Sequence, residues 1–202
     1  AAERGPFPNI KGSIYENDPV RNATVTTIAP TGTLSIIANC SSGVEPLFAV
    51  SYVRNVLDNT KLVEVNPMFE AIAKDRGFYS PELMEEIADH GSVVGLDEVP
   101  EDIQRVFVTA HDIAPSWHVR MQGAFQRHTD NAVSKTVNFS NSATPEDVRE
   151  VYDLAYEMGV KGVTIYRDGS KTGQVLTTGK TGSQSEAAPV AATSHGELAP
   201  RD

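Results

Sequence analysis

The stretch Pro30-Thr31-Gly32-Thr33-Leu34-Ser35 sets a glycine among three hydroxyl side chains, directly after the β-branched run Thr24-Val25-Thr26-Thr27-Ile28. A strand, a tight turn and a helix start in that order can hold a phosphate. The first amides of a helix have no partner inside it and sit at the positive end of its dipole. Gly32 lets a ligand approach the backbone closely, while Thr31, Thr33 and Ser35 add hydroxyls and Leu34 an amide. No lysine follows the glycine, so this is not the lysine-bearing loop of nucleoside triphosphatases. The same residues also read as a plain turn in which Thr33 caps a short helix. Both readings stand on these residues alone.

Other chemistry-bearing residues are more ordinary. His111, His118 and His128 lack the spacing of a metal site, because Pro115 separates the first two and no carboxylate cluster accompanies them. They read as exposed or helix-end histidines. Cys40 is the single cysteine; with no second thiol to exchange with and no activating base nearby, it reads as a small turn residue. Glu45, in Gly43-Val44-Glu45-Pro46, reads as a surface acid, and Tyr166 as a structural tyrosine at a strand end. Ser134, Thr136 and Asn138 alternate along one side of a strand, facing either solvent or a polar cavity. Lys135 interrupts the opposite, apolar side and is expected near an edge.

The elements that would position these residues can be read from period and punctuation. Residues 1–22, rich in Gly and Pro, form an extended lead-in. Thr24–Ile28 and Phe48–Leu57 read as strands. Asn66-Pro67 and Ser80-Pro81 open two short helices that end at Gly77 and Gly91. Ile103, Val106, Phe107 and Ala110 predict a third over Glu101 to about Ala110. A fourth starts at Pro115, with Trp117, Met121, Ala124 and Phe125 as its buried stripe. Ala132–Phe139 alternates as a strand. Thr144-Pro145-Glu146-Asp147 starts a helix that buries Val148, Val151, Tyr152, Ala155 and Met158, and Val160–Tyr166 is again strand-like. Helix–strand alternation in the second half predicts an α/β fold with parallel strands.

Composition narrows the partners. The 202 residues carry 17 basic and 27 acidic side chains, a net charge of −10, with no basic run. Polymeric nucleic acid is therefore excluded as a partner, since it needs clustered Lys and Arg, whereas a single nucleotide needs only a few amides. No apolar run is long enough to span a membrane, no export leader is present, and the lone cysteine fits a reducing cytoplasm. Residues 178–202, mostly Gly, Ser, Thr, Ala and Pro, predict a flexible, disordered tail.

Three strings carry a family resemblance: RNATVTTIAPTGTLSIIANCSSGVEPLF (Arg21 to Phe48), HVRMQGAFQRHTDNAVSKTVNF (His118 to Phe139) and KGVTIYRDGS (Lys161 to Ser170). With the lead-in Gly5 to Tyr15, they resemble the catalytic α/β barrel of ribonucleotide reductases of the adenosylcobalamin-dependent (class II) type, over about residues 3–177. The resemblance implies part of a ten-stranded barrel over 1–177, followed by the 178–202 linker. It implies that Thr31, Gly32, Thr33, Leu34 and Ser35 bind the phosphates of a ribonucleoside di- or triphosphate. For the full-length enzyme it implies adenosylcobalamin as cofactor and a dithiol reductant such as thioredoxin, and it leaves a homodimer open.

The sequence departs from that family in one respect. It has neither the Asn-Pro-Cys-Gly-Glu motif of the radical-bearing finger loop nor a cysteine pair to supply electrons, and Cys40 matches no catalytic cysteine. The expectation is a C-terminal part of the barrel that supplies the phosphate loop, no catalytic residue and no metal ligand, and is inactive by itself. Two alternatives remain. A tyrosyl-radical-type reductase would carry a tyrosine pair where Ile165-Tyr166 offers one tyrosine. A non-catalytic nucleotide-binding module would be compact and would bind nucleoside phosphates tightly on its own.

Overall fold

The computed structural model describes residues 1–38, 40–56 and 60–170, so the tail expected over 178–202 lies outside the described residues. In chain order the elements are α1 (Gly32–Ala38), β1 (Ser51–Val56), β2 (Thr60–Val65), α2 (Pro67–Asp75), α3 (Pro81–His90), α4 (Glu101–Gln104), α5 (Pro115–Gln126), β3 (Thr136–Phe139), α6 (Pro145–Glu157) and β4 (Thr164–Arg167). The class is α/β, and none of the described helices is long and apolar enough to cross a membrane.

Two apolar clusters organise these elements. The first gathers Val50, Phe69, Leu83, Met84, Ile87, Val93, Val99 and Phe107 around the antiparallel pair β1–β2. The phenylalanine rings of Phe69 and Phe107 meet edge to face at 5.1 Å. Strand β2 is absent from the sequence-based reading, which also began β1 three residues early, at Phe48. Val63 and Val65 of β2 are only partly buried against this cluster, so its apolar alternation is muted. Helices α2 and α3 begin as read: the Asn66 side chain accepts from the amides of Met68 and Phe69, and Ser80 accepts from Leu83.

Helix α4 corrects an expectation. It stops at Gln104 rather than running to Ala110, and Val106 is 71% exposed. The Gln104 amide donates to the carbonyls of Leu96 and Val99 and accepts from the Gly95 amide, so it laces this turn to the preceding loop. Asp112 then gathers the Thr109 amide and hydroxyl and the Ser92 hydroxyl, which turns the chain before a second helical repeat can form.

The second cluster joins Val119, Val137, Phe139, Val151 and Ala155 in a β3–α6–β4 unit whose strands pair in parallel, Thr136 opposite Thr164 and Phe139 opposite Arg167. Helix α6 opens with the capping box foreseen at Thr144 and Asp147. Its Tyr152, expected inside, is half exposed, and Leu154 packs instead.

Helix α5 is turned away from its expected face. Trp117 is 64% exposed and Met121 and Phe125 are also exposed, while His118, Val119, Gln122, Gly123 and Gln126 are buried. Tertiary hydrogen bonding explains this. Gln122 donates to the carbonyls of Val133 and Gly162, each at 2.7 Å. Gln126 donates to Thr129 and Asn131 and accepts from the amides of Val133 and Lys161. Gly123 lets Met158 at the end of α6 come close enough that a Cβ there would lie 2.7 Å from the Met158 methyl. These amides satisfy backbone groups of the segments 129–133 and 161–162, which outweighs exposing one apolar stripe.

Residues 24–27 form no strand, and of the run 24–28 Ile28 alone pairs, in an isolated parallel bridge with Val133. Asp130 substitutes for the missing ladder. Its carboxylate accepts from the amides of Val25 and Thr26, while its own amide donates to the Thr26 hydroxyl. Those two backbone donors hold the Asp130 carboxyl below the usual aspartate value.

Candidate functional site

The turn that opens α1 is built by its neighbours. Thr31 adopts φ +50°, a left-handed conformation costly for a branched residue, by about 1 kcal/mol or more. It is held there from below. The Ser42 hydroxyl donates to the Pro30 carbonyl, which leaves its oxygen to accept the Thr31 hydroxyl at 3.3 Å. Gly43, at φ +53°, lies under the turn, where a Cβ would sit 3.5 Å from the Ala29 carbonyl oxygen and 3.6 Å from an Ile28 methyl.

The first helical bond runs from the Ser35 amide to the Thr31 carbonyl at 2.9 Å. The amides of Gly32, Thr33 and Leu34 therefore precede any carbonyl that the helix could offer them. Gly32, Thr33 and Leu34 are exposed and Thr31 and Ser35 half-buried. Of the three hydroxyls counted as donors, two are committed inside the turn: Thr31 to Ser42, and Ser35 to the Gly32 carbonyl at 2.6 Å. What the turn offers a ligand is thus three backbone amides and the Thr33 hydroxyl.

Both legs of this turn are fastened to the segment 130–136, which leads into β3. The upstream leg is held by the Ser134 amide on the Ile28 carbonyl at 2.8 Å and the Asn131 amide on the Thr26 carbonyl at 3.1 Å. The downstream leg is held through Glu45. Its Oε1 accepts the Thr136 amide at 2.6 Å and its Oε2 accepts the Lys135 ammonium at 2.9 Å. The Glu45 amide in turn donates to the Ser42 carbonyl at 2.9 Å, so Glu45 and the serine under the turn belong to one tight loop.

Lys135 is not near an edge. Its side chain is 1% exposed, against 25% for Glu45. Each of its three N–H groups has an acceptor: Glu45, His118 Nδ1 at 2.8 Å and the Thr136 carbonyl at 3.0 Å. His118 corrects the expectation of an exposed ring. It is buried, and its Nε2 donates to the Ala110 carbonyl at 3.0 Å, which leaves Nδ1 free to accept from Lys135. Burial pushes the His118 pKa below the usual histidine value, and the Lys135 charge pushes it further. Burial also lowers Lys135, against the pull of Glu45. The network is a neutral imidazole beside a buried lysine–carboxylate pair.

Sequence reasoning missed this network because its members lie 17 and 90 residues apart. Its one local signal was a lysine on an otherwise apolar strand face, which requires a buried acid as partner. The remaining candidates stay apart from it. Cys40 is exposed, His111 packs its ring on Phe48 at 5.8 Å, and His128 is exposed at the end of α5. Among the described residues no group of three or more His, Cys, Asp or Glu is placed to hold a metal ion.

The better-formed clefts are small. One of about 300 Å³ lies at the carboxyl ends of β3 and β4, between Ser140, Asn141 and Asp168 on one side and Ser92, Thr109 and Asp112 on the other. One of about 240 Å³ lies between the start of α5 and α6. Each is of a size for a small ligand at most, and neither can enclose a corrin macrocycle.

Known proteins resemble this chain over most of its length. The family model for the barrel domain of ribonucleotide reductase matches residues 8–166. A vitamin B12-dependent ribonucleoside-diphosphate reductase of Thermoplasma acidophilum is 51% identical over 181 residues, which is 89% of this chain and 23% of that protein. One of Mycobacterium tuberculosis is 50% identical over 177 residues, 87% of this chain and 25% of that protein. Among solved structures, the alpha subunit of a class Id ribonucleotide reductase from Actinobacillus ureae superposes with a TM-score of 0.63 at 25% identity, covering 77% of this chain and 28% of that one. The chain spans about a quarter of the length of these curated relatives. With its parallel β3–α6–β4 unit, its turn of free amides and this match over most of its length, the chain belongs to the ribonucleotide reductase barrel-domain family.

Proposed function

We propose that residues 1–177 are part of the catalytic barrel of a vitamin B12-dependent ribonucleotide reductase, and that Thr31, Gly32, Thr33, Leu34 and Ser35 hold the phosphates of its substrate. The observation that carries this reading is the exposed turn in which the amides of Gly32, Thr33 and Leu34 precede the first helical bond. Anions are stabilised at such a terminus by direct N–H bonds and by the helix dipole. The names of the relatives near 50% identity favour a ribonucleoside diphosphate as substrate. Reduction to the deoxyribonucleotide would take place in the cytoplasm, with adenosylcobalamin as cofactor of the full-length enzyme and a dithiol partner such as thioredoxin as electron source. The residues in this chain bind and orient. With Cys40 as its one cysteine, the sequence supplies no thiol pair for the redox steps.

The test is calorimetric titration of the 202-residue chain with cytidine diphosphate and, separately, with cytidine. The diphosphate is expected to bind weakly, through part of a site, and the nucleoside far more weakly still, whereas tight diphosphate binding by this chain alone marks a self-contained binding module. Thr33→Pro removes one amide at a position in the first turn that tolerates proline, and loss of one hydrogen bond to a charged group weakens diphosphate binding by at least about tenfold. Equal affinity for both ligands, or undiminished binding by the proline variant, overturns the reading.

A further inference from the structure

The phosphate turn has no lysine or arginine of its own, and its one strained residue, Thr31, is held by side chains from elsewhere. Tracing that support leads away from the turn by short steps. Thr31 and Pro30 rest on Ser42; the Ser42 carbonyl takes the Glu45 amide; and the Glu45 carboxylate is clamped by the Lys135 ammonium and the Thr136 amide. Lys135 cannot swing to another partner, because His118 Nδ1 and the Thr136 carbonyl occupy its other two donors and its side chain is closed off from water. His118 is itself fixed by the Ala110 carbonyl in the tautomer that accepts from lysine.

A buried, fully hydrogen-bonded ion pair is a poor device for adding net stability, because desolvating both charges offsets much of their attraction. It is a good device for fixing geometry, since every donor and acceptor has one allowed place. The upstream leg of the turn has its own separate attachment at Ile28 and Thr26. The ion pair therefore does a different job, which is to set the downstream leg.

We propose that Lys135 is a positioning residue for the phosphate turn: seated on His118, it locks Glu45 and so the loop of Ser42 that supports Pro30 and Thr31. This inference rests on the phosphate reading for its function, while its structural half stands independently. Lys135 touches no ligand. Its effect passes through Glu45 and Ser42 to the direction in which the amides of Gly32, Thr33 and Leu34 point.

The experiment compares the wild-type chain with Lys135→Met, which keeps the side-chain length, and Glu45→Gln, whose single amide oxygen can accept from Lys135 or from the Thr136 amide but not from both. Hydrogen exchange measured by mass spectrometry follows peptides covering 28–38 and, as an internal reference, helix α6. Both variants are expected to speed exchange at 28–38 by about tenfold and to leave α6 unchanged, and to weaken cytidine diphosphate binding by a similar factor. A merely structural role would move α6 together with the turn. Unchanged exchange at 28–38, or equal acceleration in both segments, overturns the proposal. If the turn loosens while the wild-type chain fails to bind the diphosphate, the positioning role stands and the phosphate reading falls.

Discussion

Removing Glu45 and removing Lys135 should have unequal consequences, although each breaks the same ion pair. In Glu45→Ala the ammonium stays behind in a site where its side chain is 1% exposed, with two neutral acceptors, His118 Nδ1 and the Thr136 carbonyl. The Thr136 amide also loses its partner. A buried charge stripped of its counter-ion costs about 3–5 kcal/mol, and because Glu45 lies at the rim, water entering its place brings the expectation to about 3 kcal/mol. In Lys135→Met the charge left behind is Glu45, which keeps the Thr136 amide and is 25% exposed. The burial penalty of the ammonium disappears, the unpaired His118 nitrogen is the main loss, and the expected cost is about 1 kcal/mol. The double variant should cost about 2 kcal/mol, well below the sum, because the stranded ammonium is gone. Urea unfolding of the four chains, with a constant dependence on denaturant, measures this directly. If Glu45→Ala costs no more than Lys135→Met, or the two effects add, the ion pair is not the buried, mutually dependent unit described above.

Two further predictions concern the same region. Because the folded His118 pKa lies below its ordinary value of 6.5, the unfolded chain binds more protons in the window below 6.5, so stability is lost as pH falls from 6.5 toward the folded value. His118→Gln, which can still donate to Ala110, should flatten that slope in thermal melts between pH 7 and 5; an unchanged slope refutes the assignment. On α5, Trp117→Gln should change stability by less than about 1 kcal/mol, since the ring is mostly exposed and stacks on Arg120, whereas Val119→Ala should cost about 2 kcal/mol. The reverse order would restore the helix face that the periodicity alone favours.

The legible parts of the molecule were those written in local chemistry. Asn66-Pro67, Ser80-Pro81 and Thr144-Pro145-Glu146-Asp147 announce their helices because a cap and a first-turn proline act within four residues. The turn at Pro30 to Ser35 was legible as a turn before a helix for the same reason. Its donors were only half legible, since the commitment of the Thr31 and Ser35 hydroxyls depends on Ser42 and on the turn's own geometry. The face of α5 was not legible, because Gln122 and Gln126 read as polar in sequence yet are needed inside by carbonyls of other elements. Glu45 and Lys135 were invisible as a pair because nothing between them in sequence reports that their elements meet.

The two fastenings of the turn that opens α1 also set an order of events during synthesis. Thr26 meets Asp130 across 104 residues and Glu45 meets Lys135 across 90. At about 5–20 residues per second, the segment 24–46 leaves the ribosome roughly 5–20 s before the strand that will hold it exists. Local helices such as α2 and α3 can form during that delay, but the turn cannot take its final shape. The Pro30–Ser35 turn is therefore finished well after the segment that carries it has been made, and a nascent chain has no fastened turn there until residue 136 has emerged.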